Sequence, residues 1–291
     1  MSWRTVVIAS SAKLDYQMGY LVVRKDTVTK IHLSEIRLLL IESTAVSLTA
    51  ALLAELTDKK IKVIFCDAKR NPSSELLPYY GAHDTSLKIR NQIAWSDKIK
   101  VQMWTEIVSE KIRKQREVLL LREKKEEADL LGQYLEEMEL GDATNREGHA
   151  AKVYFNALFG KDFSRSVDNV ANAALNYGYS ILLSAFTREI TANGYLTQLG
   201  LFHDNMFNPF NLASDLMEPF RPLVDRRVLQ LQFSELQHEQ KMQLVDILNM
   251  EIFVNERKEY VANAIKIYCK SVFDAISDED VSQIRFYSHE L

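Results

Sequence analysis

Apolar and polar positions follow one rhythm in the first part of the chain and another in the rest. Up to residue 67 the apolar residues come in short β-branched or aliphatic runs separated by polar breaks: TVVI (5–8), YLVVR (20–24), KIHL (30–33), IRLLLIE (36–42) and KVIFCD (62–67). Runs of this length and composition predict the strands of a small sandwich or rolled sheet. One interruption, SLTAALLAEL (47–56) followed by TDKK, has the spacing of a short amphipathic helix. The stretch NPSSELLPYYGAHD (71–84) holds two of the five prolines and is the expected boundary between a β-rich domain, 1–82, and a second domain, 83–291.

From Thr85 the period becomes helical, with Ile89, Ile93, Ile99, Met103 and Ile107 leading a pattern that continues to Leu121. No proline occurs between Pro78 and Pro209, which permits long helices. The run 111–139 mixes charges of both signs with helical apolar spacing and reads as a partly exposed charged face. Further helices are expected over 149–160, over 167–194 with Gly194 as C-cap, and over 235–273. The fold class is therefore α+β: a small N-terminal β-sandwich-like domain followed by a larger all-α C-terminal domain.

Composition narrows the functional classes. At 291 residues, 47% hydrophobic and 26% charged, the chain can bury a core in each domain, which excludes disordered and linker-like readings. Its two cysteines, Cys66 and Cys269, make neither a disulfide framework nor a C-x-x-C metal or redox pair. Arg4 is followed by too short an apolar stretch for a secretory signal, and the most apolar stretch, around Ala45–Ala54, is too short to cross a bilayer, so a cytoplasmic protein off the membrane is expected. The net charge of −4 gives no overall field attractive to nucleic acid, so any DNA binding must use a local basic patch.

Phosphate-loop, dinucleotide-binding, serine-hydrolase and H-E-x-x-H motifs are all absent. Two polar segments inside otherwise structured regions remain, NREGHAAKVYF (145–155) and LGLFHDNMFNPFNLASDLMEPFRPLVDRR (199–227). Glu147 falls just before or in the first turn of a predicted helix, where the helix dipole favours a carboxylate even without a function. His203 lies among apolar residues, and Asp215 and Glu218 follow at a spacing that places both acids on one helical face. Imidazole plus carboxylates suits Mn²⁺ or Mg²⁺, while a core histidine with two solvated acids is the structural alternative. Pro219 and Pro222 require any helix carrying these acids to end or kink there. Arg221, Arg226 and Arg227 add a local positive cluster suited to phosphate, or else to pairing with nearby glutamates.

These residues, in this order, resemble the CRISPR-associated spacer-acquisition integrase family. The similarity spans essentially the whole chain and is most specific in HDNMFNPFNLASDLMEPFRPLVD (203–225), which looks like the version found with type II systems. The resemblance implies a metal-dependent DNA integrase and endonuclease that joins the 3′-hydroxyl ends of captured DNA to the leader-proximal repeat of a CRISPR array. It also implies catalytic and metal-ligating roles for Glu147, His203 and Glu218 around Mg²⁺ or Mn²⁺, with Asp215 as a second acid or a group behind the ligands. Asn145, Tyr154 and Asn205 are further supporting candidates, and Arg221, Arg226, Arg227 and Arg146 are candidate phosphate or DNA contacts.

The implied partners are DNA, a second copy of the chain in a homodimer, and a small ferredoxin-like adaptation protein bridging two dimers. They extend to the type II effector nuclease and an accessory DNA-clamp protein, with the N-terminal domain as dimerisation and DNA platform. A catalytically silent DNA-end-binding scaffold of the adaptation complex is the competing reading. A duplex carries dense negative charge, so a net-negative chain would need a basic groove shared between protomers and partner.

Overall fold

The computed structural model describes residues 4–76, 82–231 and 235–288. The chain separates into two compact units, Met1–Tyr80 and Gly81–Leu291.

The first unit holds β1 (Arg4–Ile8), β2 (Ala12–Gln17), β3 (Tyr20–Arg24), β4 (Val28–His32), β5 (Ile36–Ile41), β6 (Val46–Leu48), α1 (Ala50–Asp58), β7 (Lys62–Cys66) and β8 (Pro72–Leu76). One sheet has the order β1-β5-β7-β8, parallel except for β8, and the other has the order β4-β3-β2-β6, antiparallel except for the β2–β6 pair. Val6 and Ile8 of β1, Leu39 and Ile41 of β5, Leu14 of β2, Leu21 and Val23 of β3, and Leu52 and Leu56 of α1 form one apolar core. The apolar runs thus form strands where the sequence pattern predicts them, and β5 and β7 are buried along nearly their whole length. The β2–β3 hairpin pairs Gln17 with Tyr20 across Met18 and Gly19, both at positive φ, the two-residue turn whose twist matches its strands. Thr49 accepts the Leu52 N–H at 3.3 Å and starts α1. The sequence pattern finds β1, β3, β4, β5 and β7 but not β2, β6 or β8. The last of these lies in the stretch read as a boundary, part of which, 77–81, falls outside the described residues.

The second unit is mostly helical: α2 (Thr85–Ile93), α3 (Asp97–Leu121), α4 (Lys125–Glu136), α5 (Arg146–Phe159), α6 (Val170–Ala192), α7 (Asn211–Leu216), α8 (Arg221–Gln230), α9 (His238–Val245) and α10 (Val261–Asp278). Two long helices, α3 and α6, are buried on most of their circumference at mid-length and carry the others around them. Ser96 caps α3 by accepting the Ile99 N–H, so the helical pattern from Thr85 breaks at 94–96. Gly194, at φ +87°, follows the last turn of α6 as the C-terminal glycine expected there.

One expectation is corrected. The stretch 235–273 is not one helix, because a hairpin of β9 (Glu251–Val254) and β10 (Arg257–Tyr260) separates α9 from α10 and pairs with β11 (Tyr287–Ser288). Asn255 and Glu256 both take positive φ in its two-residue turn, which reverses the chain where a helical reading would carry it on. The C-terminal part is thus helical with a small antiparallel sheet rather than wholly α. The run 111–139 is a partly exposed charged face as expected, with Lys111, Lys114 and Gln115 on its buried side.

Candidate functional site

Four segments of the helical unit build the site. The first is the start of α5. Asp142 accepts the N–H groups of Arg146 at 2.6 Å and Glu147 at 3.1 Å, fixing the first turn and with it the Glu147 side chain. Asn145 precedes it in the left-handed region, φ 54°, with its amide over Gly148, so Asn145 shapes the helix start and makes no side-chain cap bond.

The second segment is the connection from α6 to α7, which carries His203. Buried Gln92 of α2 donates to the carbonyls of Leu196 and Leu199, both at 2.9 Å, and accepts the Leu196 N–H. Asn211 donates to the carbonyls of Gln198 and Asn205, and Asn205 accepts the Phe207 N–H at 2.9 Å. Asp215, fully buried on α7, accepts the N–H groups of Leu201, Phe202 and His203 at 2.6, 3.1 and 3.2 Å, and lies 2.5 Å from His203 Nδ1. A Cβ at Gly200 would stand 2.3 Å from the His203 carbonyl oxygen and 2.7 Å from Asp215 Oδ2, so the loop closes this tightly only around glycine. Trp104 of α3 stacks on Phe202 at 4.3 Å and meets the His203 ring edge-on at 5.7 Å. Beyond the ring the loop presents Met206 and Phe207, each more than four-fifths exposed.

The third segment is the α7–α8 junction. The helix bearing Asp215 ends at Leu216, a 3₁₀ turn spans Glu218–Phe220, and α8 begins at Arg221 with Pro222 in its first turn. That is the break that the two prolines require. Glu218 is buried, and its Oε1 accepts from Arg221 Nε at 2.8 Å.

The fourth segment is α3, which contributes Lys111. Its ammonium contacts Glu147 Oε1 and lies 2.5 Å from Glu218 Oε2. Glu147 and Glu218, separated in sequence, thus meet on a single cation. Burial alone would raise the Glu218 carboxyl, yet Arg221 and Lys111 hold it down at about 2. Burial is the largest single effect on Lys111 and lowers it, but Glu218 and Glu147 together outweigh it and hold the ammonium above its usual value. The hydrogen bond to Asp215 raises the His203 imidazole, with Glu218 and Glu147 adding to it against partial burial.

The structure thus brings Glu147, Glu218, His203 and Asp215 into one neighbourhood. Tyr154 is fully buried and donates to Asp225 Oδ2 at 3.0 Å, and Tyr179 donates to Asp225 Oδ1. Arg221 packs over the Tyr179 ring at 4.7 Å, so this buried group stands behind the Arg221–Glu218 pair. Arg227 donates to the Gln243 carbonyl and to Gln230, Arg146 pairs with Glu137 at 2.8 Å, and Arg226 lines a shallow cleft with Arg122. None of these three makes a hydrogen bond or ion pair to Glu147, His203 or Glu218 among the described residues. Sequence reasoning missed Lys111, Gln92, Asp142 and Asp225. For Lys111, Gln92 and Asp225 the one signal is a polar residue inside a helical pattern, which surface residues also show, and Asp142 lies in a short polar connection before α5.

The donor chemistry fits a divalent ion: two carboxylates and an imidazole whose Nε2 makes no hydrogen bond among the described residues. No group of three or more His, Cys, Asp or Glu side chains is placed to hold a metal ion among the described residues, and the Lys111 ammonium contacts both glutamates.

The family model for CRISPR associated protein Cas1 matches residues 5–246. This chain belongs to the Cas1 family. It is 34% identical over 291 residues to the CRISPR-associated endonuclease Cas1 of Neisseria meningitidis serogroup C (strain 8013), covering 98% of this chain and 96% of that one. Its fold is similar to that of a casposase bound to integration product, with TM-score 0.77, 17% identity, and coverage of 98% of this chain and 94% of that one. It is also similar to a chain of a Cas6-RT-Cas1–Cas2 complex, with TM-score 0.75, 19% identity, and coverage of 99% of this chain and 36% of that one. The Cas1 membership agrees with the family resemblance carried by residues 203–225, and a two-part, sheet-then-helix architecture is what that family fold comprises here. No helix among the described residues is long and apolar enough to cross a membrane.

Proposed function

We propose that the chain is a Mg²⁺- or Mn²⁺-dependent DNA integrase and endonuclease of CRISPR adaptation. It would join the 3′-hydroxyl ends of captured foreign DNA to the leader-proximal repeat by transesterification. The observation that carries this reading is the meeting of Glu147 and Glu218 on one cation beside His203, whose ring is held by Asp215. The relative named an endonuclease and the neighbour bound to integration product support it.

In the reaction the oxygen of the free 3′-hydroxyl forms a bond to the target phosphorus, and the target's own 3′-oxygen leaves. One proton is lost by the attacker and one gained by the leaving group, so no protein nucleophile and no energy-rich cofactor is needed. Glu147, Glu218 and His203 Nε2 would hold the ion, which when bound polarises the phosphate and lowers the pKa of the attacking hydroxyl. Asp215 accepts the Nδ1 proton of His203, which leaves the Nε2 lone pair available as a ligand. Arg221 keeps Glu218 ionised and oriented. Water in place of the 3′-hydroxyl turns the same site into an endonuclease.

The partners that go with this reading are a second copy of the chain, a small ferredoxin-like protein bridging two dimers, and the type II effector nuclease with a DNA-clamp protein, all in the cytoplasm. A structural neighbour from a Cas6-RT-Cas1–Cas2 complex supports assembly with a partner protein. The test is covalent joining of a labelled duplex with free 3′-hydroxyls into a supercoiled plasmid carrying leader and repeat, with the small partner and Mn²⁺ or Mg²⁺ present. Label at the repeat edges supports the reading. Tight DNA binding without joining turns it to the silent scaffold.

A further inference from the structure

The two glutamates of the site are matched by fixed cations in a way that is unusual for a divalent-ion centre. Glu147 and Glu218 carry two negative charges, and Lys111 and Arg221, both in ion-pair contact with them, carry two positive ones. Sites that bind hard divalent cations firmly are normally left with unpaired carboxylate charge to attract the ion. Here that charge is already matched inside the protein, and Lys111 is the group that matches it at the point where the ligand oxygens face each other. Its side chain is 9% exposed and rises from α3, a helix buried on most sides at this level, so its position is set by the core and not by a wandering surface side chain. An ammonium and a metal ion cannot occupy the same gap between two carboxylate oxygens.

We infer that Lys111 is a displaceable internal counter-cation: it holds Glu147 and Glu218 together in the metal-free protein, competes with the divalent ion for them, and makes metal binding depend on a DNA phosphate. This inference rests on the proposed metal reading of the site. When the ion enters, the Lys111 ammonium gives up the carboxylates and is left in a poorly solvated place, at a cost that a phosphate oxygen placed beside it removes. Metal and DNA then bind with positive coupling, because each supplies the opposite charge that the other exposes. The free protein is kept from holding an active metal before substrate arrives.

The experiment is calorimetric titration of Mn²⁺ into wild type, Lys111→Met and Lys111→Arg, each alone and with a duplex bearing a free 3′-hydroxyl end. Wild type alone binds weakly, and the duplex tightens its Mn²⁺ dissociation constant by about tenfold or more, within the range common for coupled ligands. Lys111→Met binds Mn²⁺ without DNA about tenfold more tightly than wild type, and the duplex adds little to it. Lys111→Arg, which keeps the cation, binds no more tightly than wild type. Metal-free Lys111→Met melts below wild type, and saturating Mn²⁺ removes the difference.

A readout without any variant is the reactivity of Lys111 toward an amine-acylating reagent, followed by mass spectrometry. It rises several-fold when Mn²⁺ is added and falls again when the duplex joins, as the ammonium changes partners. Mn²⁺ binding that Lys111→Met does not tighten, or Lys111 reactivity that Mn²⁺ leaves unchanged, overturns the counter-cation role and leaves the metal reading standing. Absence of Mn²⁺ binding in all three proteins, with and without DNA, overturns both.

Discussion

Asp215 holds His203 through two contacts and its loop through two more: its carboxylate lies 2.5 Å from the ring Nδ1 and accepts the His203 N–H, and it also accepts the backbone N–H groups of Leu201 and Phe202. One fully buried acid thereby sets both the path of the loop and the direction of the ring. Asp215→Asn is expected to reduce strand joining by about 10–100-fold, as is usual when the group behind a metal-bound histidine is changed. It should also lower the His203 titration midpoint in NMR and speed amide exchange at residues 201–203. Unchanged joining with unchanged exchange would show that Asp215 is dispensable.

Glu147→Ala, His203→Ala and Glu218→Ala each are expected to lower joining by about 100-fold or more, and the double variants by little beyond the single ones, because groups that serve one reaction centre are not additive. Gel quantification of joined label checks this. Joining that survives all three would place the chemistry elsewhere in the chain.

Asp225 gives a pH signature. Burial lifts its carboxyl to about 6, and the hydrogen bonds from Tyr179 and Tyr154 only partly offset that. A carboxyl raised on folding binds more protons in the folded state, so its contribution to stability is full below the unfolded value near 4 and is lost as pH rises through about 6. Denaturant unfolding of wild type and Asp225→Asn at several pH values from 4 to 7 is expected to show the wild type losing on the order of 3 kcal/mol relative to the variant across that window. A constant difference would mean that folding leaves the Asp225 carboxyl unshifted.

Gly200→Ala places a methyl against the His203 carbonyl oxygen and Asp215 Oδ2, so the 200–203 loop must shift. An unfolding cost of about 1–3 kcal/mol is expected, typical of an overpacked position, together with loss of joining at temperatures where the protein is still folded. Thermal unfolding and the joining assay run on the same preparation separate the two effects.

Much of this protein was determined by sequence alone. Short β-branched and aliphatic runs specified β1, β3, β4, β5 and β7, and period-3.6 spacing specified the helical unit, because both are local properties of the order of residues. The paired prolines required the break after Asp215, since proline lacks the N–H and fixes φ. The string 203–225 carried the family. Tertiary structure decided which polar residues lie inside. Lys111 and Asp225 sit in helices whose composition reads as ordinary charged surface, and only the packing of α3 against α5 and the α7–α8 junction shows that Lys111 joins Glu147 to Glu218. The β9–β10 hairpin was likewise hidden, because four-residue strands are too short to separate an alternating from a helical pattern and the reversal depends on the positive φ of Asn255 and Glu256. Periodicity records which face of an element is buried, but the pairing of charges across elements is a property of the assembled fold and leaves no trace in the order of residues.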